Sequence, residues 1–316
     1  MKFLFISPRF TGGTGNHASM LAEQLSQHGH KVTKMSVPHL PIKNLKNPSF
    51  AIFGTLKSLL SREHYDIVHA FNVPSAFAMH FAKGTKKVLS IHGVFSDQVA
   101  ALHSQTTSSI ANVAELKALH WADKLTTDSK KSKEDYKKKF NFDFEYLPTP
   151  IDTKMFNLIP DSTKNESKVI YVGRNSFEKG IDILQKIEDK INGDVVYCVD
   201  VPWKDAMSSL KSSSILVVPS RMESLPTIIK EAFYLKIPVI AFGVGGIPEL
   251  ITNGKTGILV EPNNSDILLT KINELLDNKQ LRTQLASNAF DEVQTNFTWD
   301  VTLPKYIKFY ESLLNS

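Results

Sequence analysis

Residues 215–232 read Ile215-Leu-Val-Val-Pro-Ser-Arg-Met-Glu-Ser-Leu-Pro-Thr-Ile-Ile-Lys-Glu-Ala, and this stretch decides the fold. Its first four residues are apolar, which is typical of a buried parallel strand, and Pro219 ends that strand. Pro226 predicts the first turn of a helix, where its missing N–H is harmless. Glu223 then lies in the strand-to-helix loop and Glu231 about one turn into the helix. Both carboxylates therefore follow the carboxyl end of a strand, where open α/β sheets bind ligands.

The same alternation of strand and helix runs through the whole chain. Strands are predicted at 3–7, 32–37, 66–72, 87–92, 124–127 and 144–147, and again at 169–173, 195–199, 215–219, 239–242 and 257–260. This pattern predicts an α/β protein of two doubly wound, Rossmann-like parallel-sheet domains. The two prolines of Leu147-Pro-Thr-Pro-Ile suit a hinge, so we expect domains at 1–150 and 151–297. A final helix is expected at 298–316.

Composition indicates a soluble globular protein, with 42% hydrophobic and 22% charged residues. No apolar run approaches the roughly 18 residues that span a bilayer, and the short apolar start at 1–9 predicts a first strand, not a signal peptide. A single cysteine, Cys198, excludes an internal disulfide and a cysteine-rich metal site. These features predict a cytoplasmic protein.

The net charge of +5 is unevenly distributed, with +8 on residues 1–150 and −3 on residues 151–316. The segment Lys130–Lys139 holds six lysines and two acidic residues. A solvated helix face is one interpretation, and a patch that contacts anionic lipid headgroups is the other. No aromatic platform or recognised motif accompanies the charge, so nucleic acid is not a predicted partner.

A glycine-rich loop, Gly12-Gly13-Thr-Gly15-Asn-His-Ala18, comes directly after the first strand and before a helix. Its spacing fits the dinucleotide fingerprint, but the second strand ends in Lys-Met-Ser-Val-Pro-His without the acidic residue that binds a ribose. A nicotinamide cofactor is therefore not favoured. The glycines still allow backbone N–H groups at the helix N-terminus to approach a phosphate or a sugar.

Two similar loops follow strands of the second half, Gly173-Arg174-Asn-Ser-Phe-Glu-Lys179-Gly180 and Phe242-Gly-Val-Gly-Gly246. We expect Arg174 and Lys179 to converge on the crevice of Glu223, where two cations would neutralise a diphosphate. An exposed arginine and lysine in a loop is the alternative. Together the loops suit a nucleotide diphosphate whose ribose hydroxyls need a carboxylate acceptor.

His92 stands directly after a predicted strand, at the ligand-binding edge of the first domain. A lone histidine is usually structural, but this position makes it a candidate for binding. None of the ten histidines has a metal-ligand spacing, and no Asp-x-Asp motif occurs. Neither a metal nor a cofactor is therefore predicted.

Taken in order, these motifs resemble retaining glycosyltransferase family 4, the glycosyl transferases group 1. The resemblance covers nearly the whole chain and also includes Ser90-Ile-His-Gly93, Pro150-Ile-Asp152, Ile247-Pro-Glu249 and Gly254-Lys-Thr-Gly257. It implies the GT-B fold, in which two Rossmann-like domains face a central cleft and the last helix returns to the first domain. It also implies a retaining, metal-independent transfer of a hexose from a UDP- or GDP-linked sugar, the co-substrate, to a glycan or lipid-linked acceptor.

The resemblance also assigns roles to individual residues. Glu231 would bind the ribose, Glu223 the transferred sugar, and Arg174 with Lys179 the departing diphosphate. His92 would contact the sugar and Gly13 the phosphate. The implied catalytic residues are His92, Arg174, Lys179 and Glu223. The implied donor-binding residues are Gly12, Gly13, Arg174, Lys179, Glu223, Leu225, Pro226, Thr227 and Glu231, with Val201 and Pro202 at the base.

One segment departs from the family pattern. Only 39 residues separate Lys179 from Pro219, and the extra strand and helix with a Gly-Asp-Gly-like turn are missing there. The second domain is therefore expected to be one strand-helix unit short. A catalytically silent sugar-nucleotide-binding partner subunit and a GT-B-type sugar-nucleotide epimerase remain alternatives. For the transferase, we expect a cytoplasmic location, with peripheral attachment to the inner face of the membrane through Lys130–Lys139.

Overall fold

The computed structural model describes residues 1–38, 42, 45–102 and 105–316. The chain divides into two compact units. The first unit contains Met1–Pro148 and Leu303–Ser316, and the second unit contains Thr149–Thr302. The sequence-based boundaries lay at 150/151 and 297/298, within a few residues of these divisions.

The first unit is built on a six-stranded parallel sheet of order β2-β1-β3-β4-β5-β6. Its central strands are nearly continuous runs of buried apolar residues, as a sheet covered on both faces requires. The strands are β1 (Lys2–Ile6), β2 (Lys31–Met35), β3 (Tyr65–Phe71), β4 (Gly84–Ser90), β5 (Lys124–Thr127) and β6 (Glu145–Tyr146).

The helices of the first unit connect these strands, as the alternating pattern predicts. One of them, α4, was not predicted, because it is short and directly precedes another helix. The helices are α1 (Gly13–Gln27), α2 (Lys46–Leu60), α3 (Val73–Phe81), α4 (Phe95–Leu102), α5 (Gln105–His120) and α6 (Lys130–Phe140).

The second unit has a five-stranded parallel sheet of order β11-β10-β9-β7-β8. Between Lys179 and Pro219 lie only the helix α7 (Ile181–Ile187), one short 3-10 turn, β8 (Asp194–Val199), the helix α8 (Trp203–Lys211) and β9 (Ile215–Val218). The strands are β7 (Lys168–Gly173), β8 (Asp194–Val199), β9 (Ile215–Val218), β10 (Val239–Phe242) and β11 (Ile258–Val260).

The helices of the second unit are α7 (Ile181–Ile187), α8 (Trp203–Lys211), α9 (Thr227–Tyr234), α10 (Ile247–Leu250), α11 (Ser265–Asp277) and α12 (Lys279–Asn296). The sequence periodicity of 264–297 did not show the break at Asn278, whose side chain accepts a hydrogen bond from Leu281 N and so starts α12.

The last helix, α13 (Trp299–Leu314), belongs to the first unit from Leu303 onward. Two fully buried tyrosines attach it there. Tyr310 Oη lies 2.8 Å from His69 Nδ1, and Tyr306 Oη lies 3.1 Å from both His17 Nε2 and Leu147 O. Among the described residues, no helix has the length and apolar character needed to cross a membrane.

Candidate active site

The strand order of the second unit identifies where a ligand would bind. The chain passes from β7 outward to β8 and then returns to β9 on the other side of β7. Loops that leave β7 and β9 in opposite directions open a crevice at the carboxyl ends of these two strands. The loop after β7 carries Arg174 and Lys179, and the loop after β9 carries Glu223.

Two glycines with positive φ let the loops of this crevice pack backbone against backbone. A Cβ at Gly180 (φ +66°) would lie 1.9 Å from Pro219 O, in the loop after β9. A Cβ at Gly245 (φ +53°), in the loop after β10, would lie 1.8 Å from Glu223 O. No side chain fits at either position, so only glycine allows the three loops to come together.

Arg221 fixes the loop after β9 to the loop after β7. Its guanidinium makes a bidentate pair with Asp182 at 2.7 and 2.8 Å and donates to Phe177 O at 2.8 Å. The Arg221 pair lowers the pKa of Asp182. This role of Arg221 was not predicted, because nothing in the sequence placed Asp182 beside it.

Lys179 and Glu223 form an ion pair within the crevice. Lys179 Nζ lies 2.7 Å from Glu223 Oε1, and Ser220 Oγ donates to the same oxygen at 2.8 Å. The Glu223 side chain is 8% exposed, whereas Lys179 keeps 25% of its side-chain surface open to solvent. The pair is therefore rigidly held on the carboxylate side and accessible on the ammonium side.

Arg174 does not join this pair. Its guanidinium lies 3.0 Å from Glu178 Oε1 and its side chain is 63% exposed. The expected convergence of Arg174 and Lys179 on Glu223 is thus seen for Lys179 alone. Tyr171, on β7, contacts the same loop, since its hydroxyl donates to Arg174 O at 2.7 Å. Burial, and then the nearby Glu223 carboxylate, raise the pKa of Tyr171.

Glu231 lies in α9, one turn from its start, as the sequence predicted. Trp203 Nε1 donates to Glu231 Oε1 at 2.7 Å. Burial raises the pKa of Glu231, and the hydrogen bond from Trp203 opposes this rise. Trp203 directly follows the predicted base-binding pair Val201 and Pro202, but its hydrogen bond to Glu231 was not predicted.

The remaining donor-binding candidates of the second unit lie at the start of α9 or just before it, and just before α8. Leu225 is buried, and Pro226 directly precedes Thr227, the first residue of α9. Pro226 is thus the residue before the helix, one position earlier than the first-turn position that the sequence predicted. Val201 is exposed and Pro202 directly precedes α8.

In the first unit, Gly12 and Gly13 form the N-terminus of α1 at the equivalent position, between the returning strands β1 and β3. Both have positive φ, and a Cβ at either would meet no atom within 4 Å. Gly15 differs, because a Cβ there would lie 2.2 Å from Arg9 O. The first two glycines therefore leave open space in front of the helix, and the third allows the loop to close.

His92 is half-buried at the carboxyl end of β4. Its Nδ1 lies 2.9 Å from Asp128 Oδ2, and its ring centroid lies 5.7 Å from that of His17 on α1. In the neutral ring, donation from Nδ1–H to Asp128 makes Nε2 the accepting nitrogen. His92 and the glycine loop are thus neighbours through His17.

The basic segment 130–139 forms α6, and several of its lysines are paired. Lys137 Nζ lies 2.9 Å from Asp143 Oδ2, Lys131 pairs with Asp135, and Lys139 pairs with Asp97. These pairs neutralise half of the six lysines. Membrane contact through this helix stays a prediction.

Comparison with known proteins gives one family in both halves of the chain. Residues 11–155 match Glycosyltransferase Family 4, and residues 185–292 match Glycosyl transferases group 1. The chain belongs to glycosyltransferase family 4. This confirms the resemblance drawn from the motifs.

A full-length relative of this family 4 glycosyltransferase is an uncharacterized glycosyltransferase from Methanocaldococcus jannaschii, 23% identical over 96% of this chain and 95% of that protein. Sucrose-phosphate synthase from Thermosynechococcus elongatus has a similar structure, with a TM-score of 0.83, 18% identity and 99% coverage of both chains. Anabaena HepE, solved with UDP and glucose, has a TM-score of 0.75 and 19% identity, with coverage of 99% of this chain and 100% of that chain. The predicted fold of two Rossmann-like parallel-sheet domains with GT-B relatives is confirmed.

Proposed function

We propose that this glycosyltransferase moves a hexose from a UDP- or GDP-linked sugar to a glycan or lipid-linked acceptor, with retention of configuration and without a metal ion. The observation that carries the proposal is the Lys179–Glu223 ion pair at the crevice between β7 and β9. An ammonium group and a carboxylate at one point can bind the two parts of a sugar diphosphate, its anionic phosphates and its neutral hydroxyls.

In this proposal Lys179 stabilises the charge that grows on the departing diphosphate. Its Nζ is partly open to solvent, so a phosphate oxygen can approach it without displacing Glu223. Glu223 accepts hydrogen bonds from the sugar hydroxyls through Oε2, because Oε1 already accepts from Lys179 and Ser220. Arg174 contributes from the exposed side of the same loop after releasing Glu178.

The reaction needs no covalent intermediate. The bond between sugar C1 and the diphosphate oxygen breaks, and a bond from C1 to the acceptor oxygen forms on the same face. The acceptor proton passes to an oxygen of the departing diphosphate. As the bond breaks, positive charge grows on C1 and the ring oxygen of the sugar and negative charge grows on the diphosphate, where a preorganised cation typically contributes about 3 kcal/mol of transition-state stabilisation. We assign that contribution to Lys179.

Glu231 serves as the ribose acceptor, with one carboxylate oxygen oriented by Trp203. The complexes of Anabaena HepE with UDP and glucose support a uridine nucleotide as the donor here, and GDP is the second candidate. A membrane-embedded or lipid-linked acceptor would place the enzyme at the inner face of the cell membrane.

The test is thermal unfolding of the protein with UDP, GDP, ADP and their glucose conjugates, in the presence and absence of EDTA. A ligand at a hundred times its dissociation constant adds about 2.7 kcal/mol to the free energy of unfolding, which gives a readable shift. We expect one nucleotide family to stabilise the protein equally with and without EDTA. Stabilisation that EDTA removes would contradict metal independence.

A radiolabelled donor then separates the alternatives to transfer. Incorporation of label into an added glycan or lipid extract, with the anomeric configuration retained, supports the transferase. A new sugar nucleotide formed from the donor alone would instead show an epimerase. Nucleotide binding without any turnover would indicate a silent partner subunit.

A further inference from the structure

The loop that follows His92 is held by a buried carboxylate. Gly93 has a φ of +81° and turns the chain from β4 toward α4. The first two backbone N–H groups of α4 then donate to Glu115 on α5. Phe95 N lies 2.9 Å from Glu115 Oε1, and Ser96 N lies 3.0 Å from Oε2. A side chain from another helix therefore satisfies the free N–H groups at the start of α4.

Tyr136 on α6 adds a second contact to the same turn. Its hydroxyl bonds to the Glu115 carboxylate and lies 3.3 Å from Phe95 N and 3.4 Å from Gly93 O. Burial, and then the Glu115 carboxylate, hold the pKa of Tyr136 well above its ordinary value, so the hydroxyl keeps its proton and donates. The tyrosine ring stacks on Phe144 with the ring centroids 4.2 Å apart, which fixes the hydroxyl in place.

Packing alone gives no reason for a glutamate at position 115. Glu115 has no exposed surface, and within the described residues its carboxylate bonds to two backbone N–H groups and a phenol, with no lysine or arginine among its partners. A buried carboxylate is costly, and an apolar side chain of similar size would fill the same space without that cost. The carboxylate is therefore explained by what it holds, the backbone of residues 93–96.

A second buried carboxylate holds the ring of His92. Nδ1 of His92 lies 2.9 Å from Asp128 Oδ2, and the Asp128 side chain is 5% exposed. The ring is thus held by Asp128 and the backbone that follows it by Glu115. Because only two residues separate the histidine from Phe95, a movement of the loop 93–96 would move His92 with it.

We propose that Glu115 is a positioning residue for sugar transfer, which holds the loop 93–96 so that His92 faces the transferred sugar. The inference rests on the proposed function, with His92 as a residue that contacts the sugar. Glu115 acts through His92 and not on the substrate, because both of its carboxylate oxygens accept from the loop. The same contacts occupy the N–H groups at the start of α4, so this helix N-terminus does not bind a phosphate.

The experiment is a double-mutant cycle on kcat with Glu115→Gln and His92→Ala. Glutamine has the size of glutamate, but its amide N–H₂ group faces one of the two backbone N–H groups and cannot accept from it. We expect Glu115→Gln to lower kcat at least about tenfold in the wild-type background, and less than about twofold in the His92→Ala background. A purely structural cap would lower kcat by the same factor in both backgrounds. The matched control is Glu23→Gln at an exposed glutamate of α1, which should transfer as wild type.

A readout that needs no turnover separates this inference from the proposed function. With isotope-labelled histidine, NMR shows the ring signals of His92, which are assigned by their absence in His92→Ala. These signals should shift in Glu115→Gln, and those of exposed His120 should not. If Glu115→Gln does not fold, Tyr136→Phe takes its place in the cycle and in the spectra, since it keeps the stacked ring and removes only the hydroxyl.

Unchanged His92 signals, or equal losses of kcat in both backgrounds, would overturn the positioning role of Glu115. A wild-type protein that transfers no sugar would instead refute the proposed function, and shifted His92 signals in that protein would still support the hold of Glu115 on the loop.

Discussion

Lys179 is the residue on which the proposed chemistry most depends, because its ammonium group is held 2.7 Å from Glu223 and still faces solvent. We expect Lys179→Met to lower kcat by about 10²- to 10³-fold, the usual loss when one preorganised donor to a leaving group is removed. Steady-state transfer kinetics at saturating donor measure this. Lys190→Met, at an exposed lysine of the same unit, is the control and should retain full activity. Full activity of the Lys179 variant would refute the assignment.

Trp203 is a positioning residue for Glu231, since its N–H fixes one carboxylate oxygen and opposes the pKa rise that burial causes. In Trp203→Phe this opposition is lost and the pKa of Glu231 rises further. The carboxylate then takes up its proton at a higher pH, so donor affinity should begin to fall at a higher pH as the solution is acidified. Nucleotide titrations across pH measure the shift, and Trp121→Phe in the first unit should leave the profile unchanged.

The sequence identified the residues of the site but not the contacts between them. Glu223 and Glu231 could be predicted because each follows a recognisable strand within one short stretch. The contacts of Arg221 and Trp203 could not be predicted, because their partners Asp182 and Glu231 lie 39 and 28 positions away and meet them only after the chain folds. For Arg174 the sequence predicted a contact that the structure does not show. Its spacing from Lys179 suggested convergence on Glu223, but Arg174 instead pairs with Glu178, four positions along the chain.

At the scale of elements, the loops after β7, β9 and β10 act as one unit because glycines let their backbones touch. Gly245→Ala would force a Cβ to 1.8 Å from Glu223 O, so the loop that holds Glu223 must move. We expect a large loss of transfer activity together with lower stability. The matched control is Gly254→Ala, which has a similar φ of +74° but no atom within 4 Å of the added Cβ. It should cost only the backbone strain of about 1–2 kcal/mol and keep its activity.

The strands and most helices followed from periodicity, and the exceptions have physical causes. β10 was predicted to the residue, because its four residues form a short apolar run with clear ends. β5 was also predicted to the residue, although three of its four residues are polar. The break between α11 and α12 was missed, because the apolar spacing continues across Asn278 and only its capping side chain ends one helix and starts the next.

At the scale of the whole molecule, the chain returns to the first unit in its last helix. The part of α13 from Leu303 onward covers a buried group of histidines, in which His69 lies between Tyr310 Oη at 2.8 Å and Ser90 Oγ at 2.7 Å. His69 has no exposed surface. Its burial, and then the neighbouring His17 and His92, hold the pKa of His69 well below its ordinary value.

This arrangement predicts that the first unit loses stability in mild acid. The pKa of His69 in the unfolded chain is about 6.5, so below this pH the unfolded chain binds a proton at His69 and the folded chain does not. The contribution of His69 to the free energy of unfolding is therefore fully present above pH 6.5, roughly, and is lost as the pH falls. As pH falls further, we expect the free energy of unfolding to drop by about 1.4 kcal/mol per pH unit from this residue. Hydrogen exchange of the α13 amides, compared between variants at each pH, measures the loss. His69→Gln should flatten the dependence and exposed His120→Gln should not; equal slopes in all three proteins would contradict the assignment to His69.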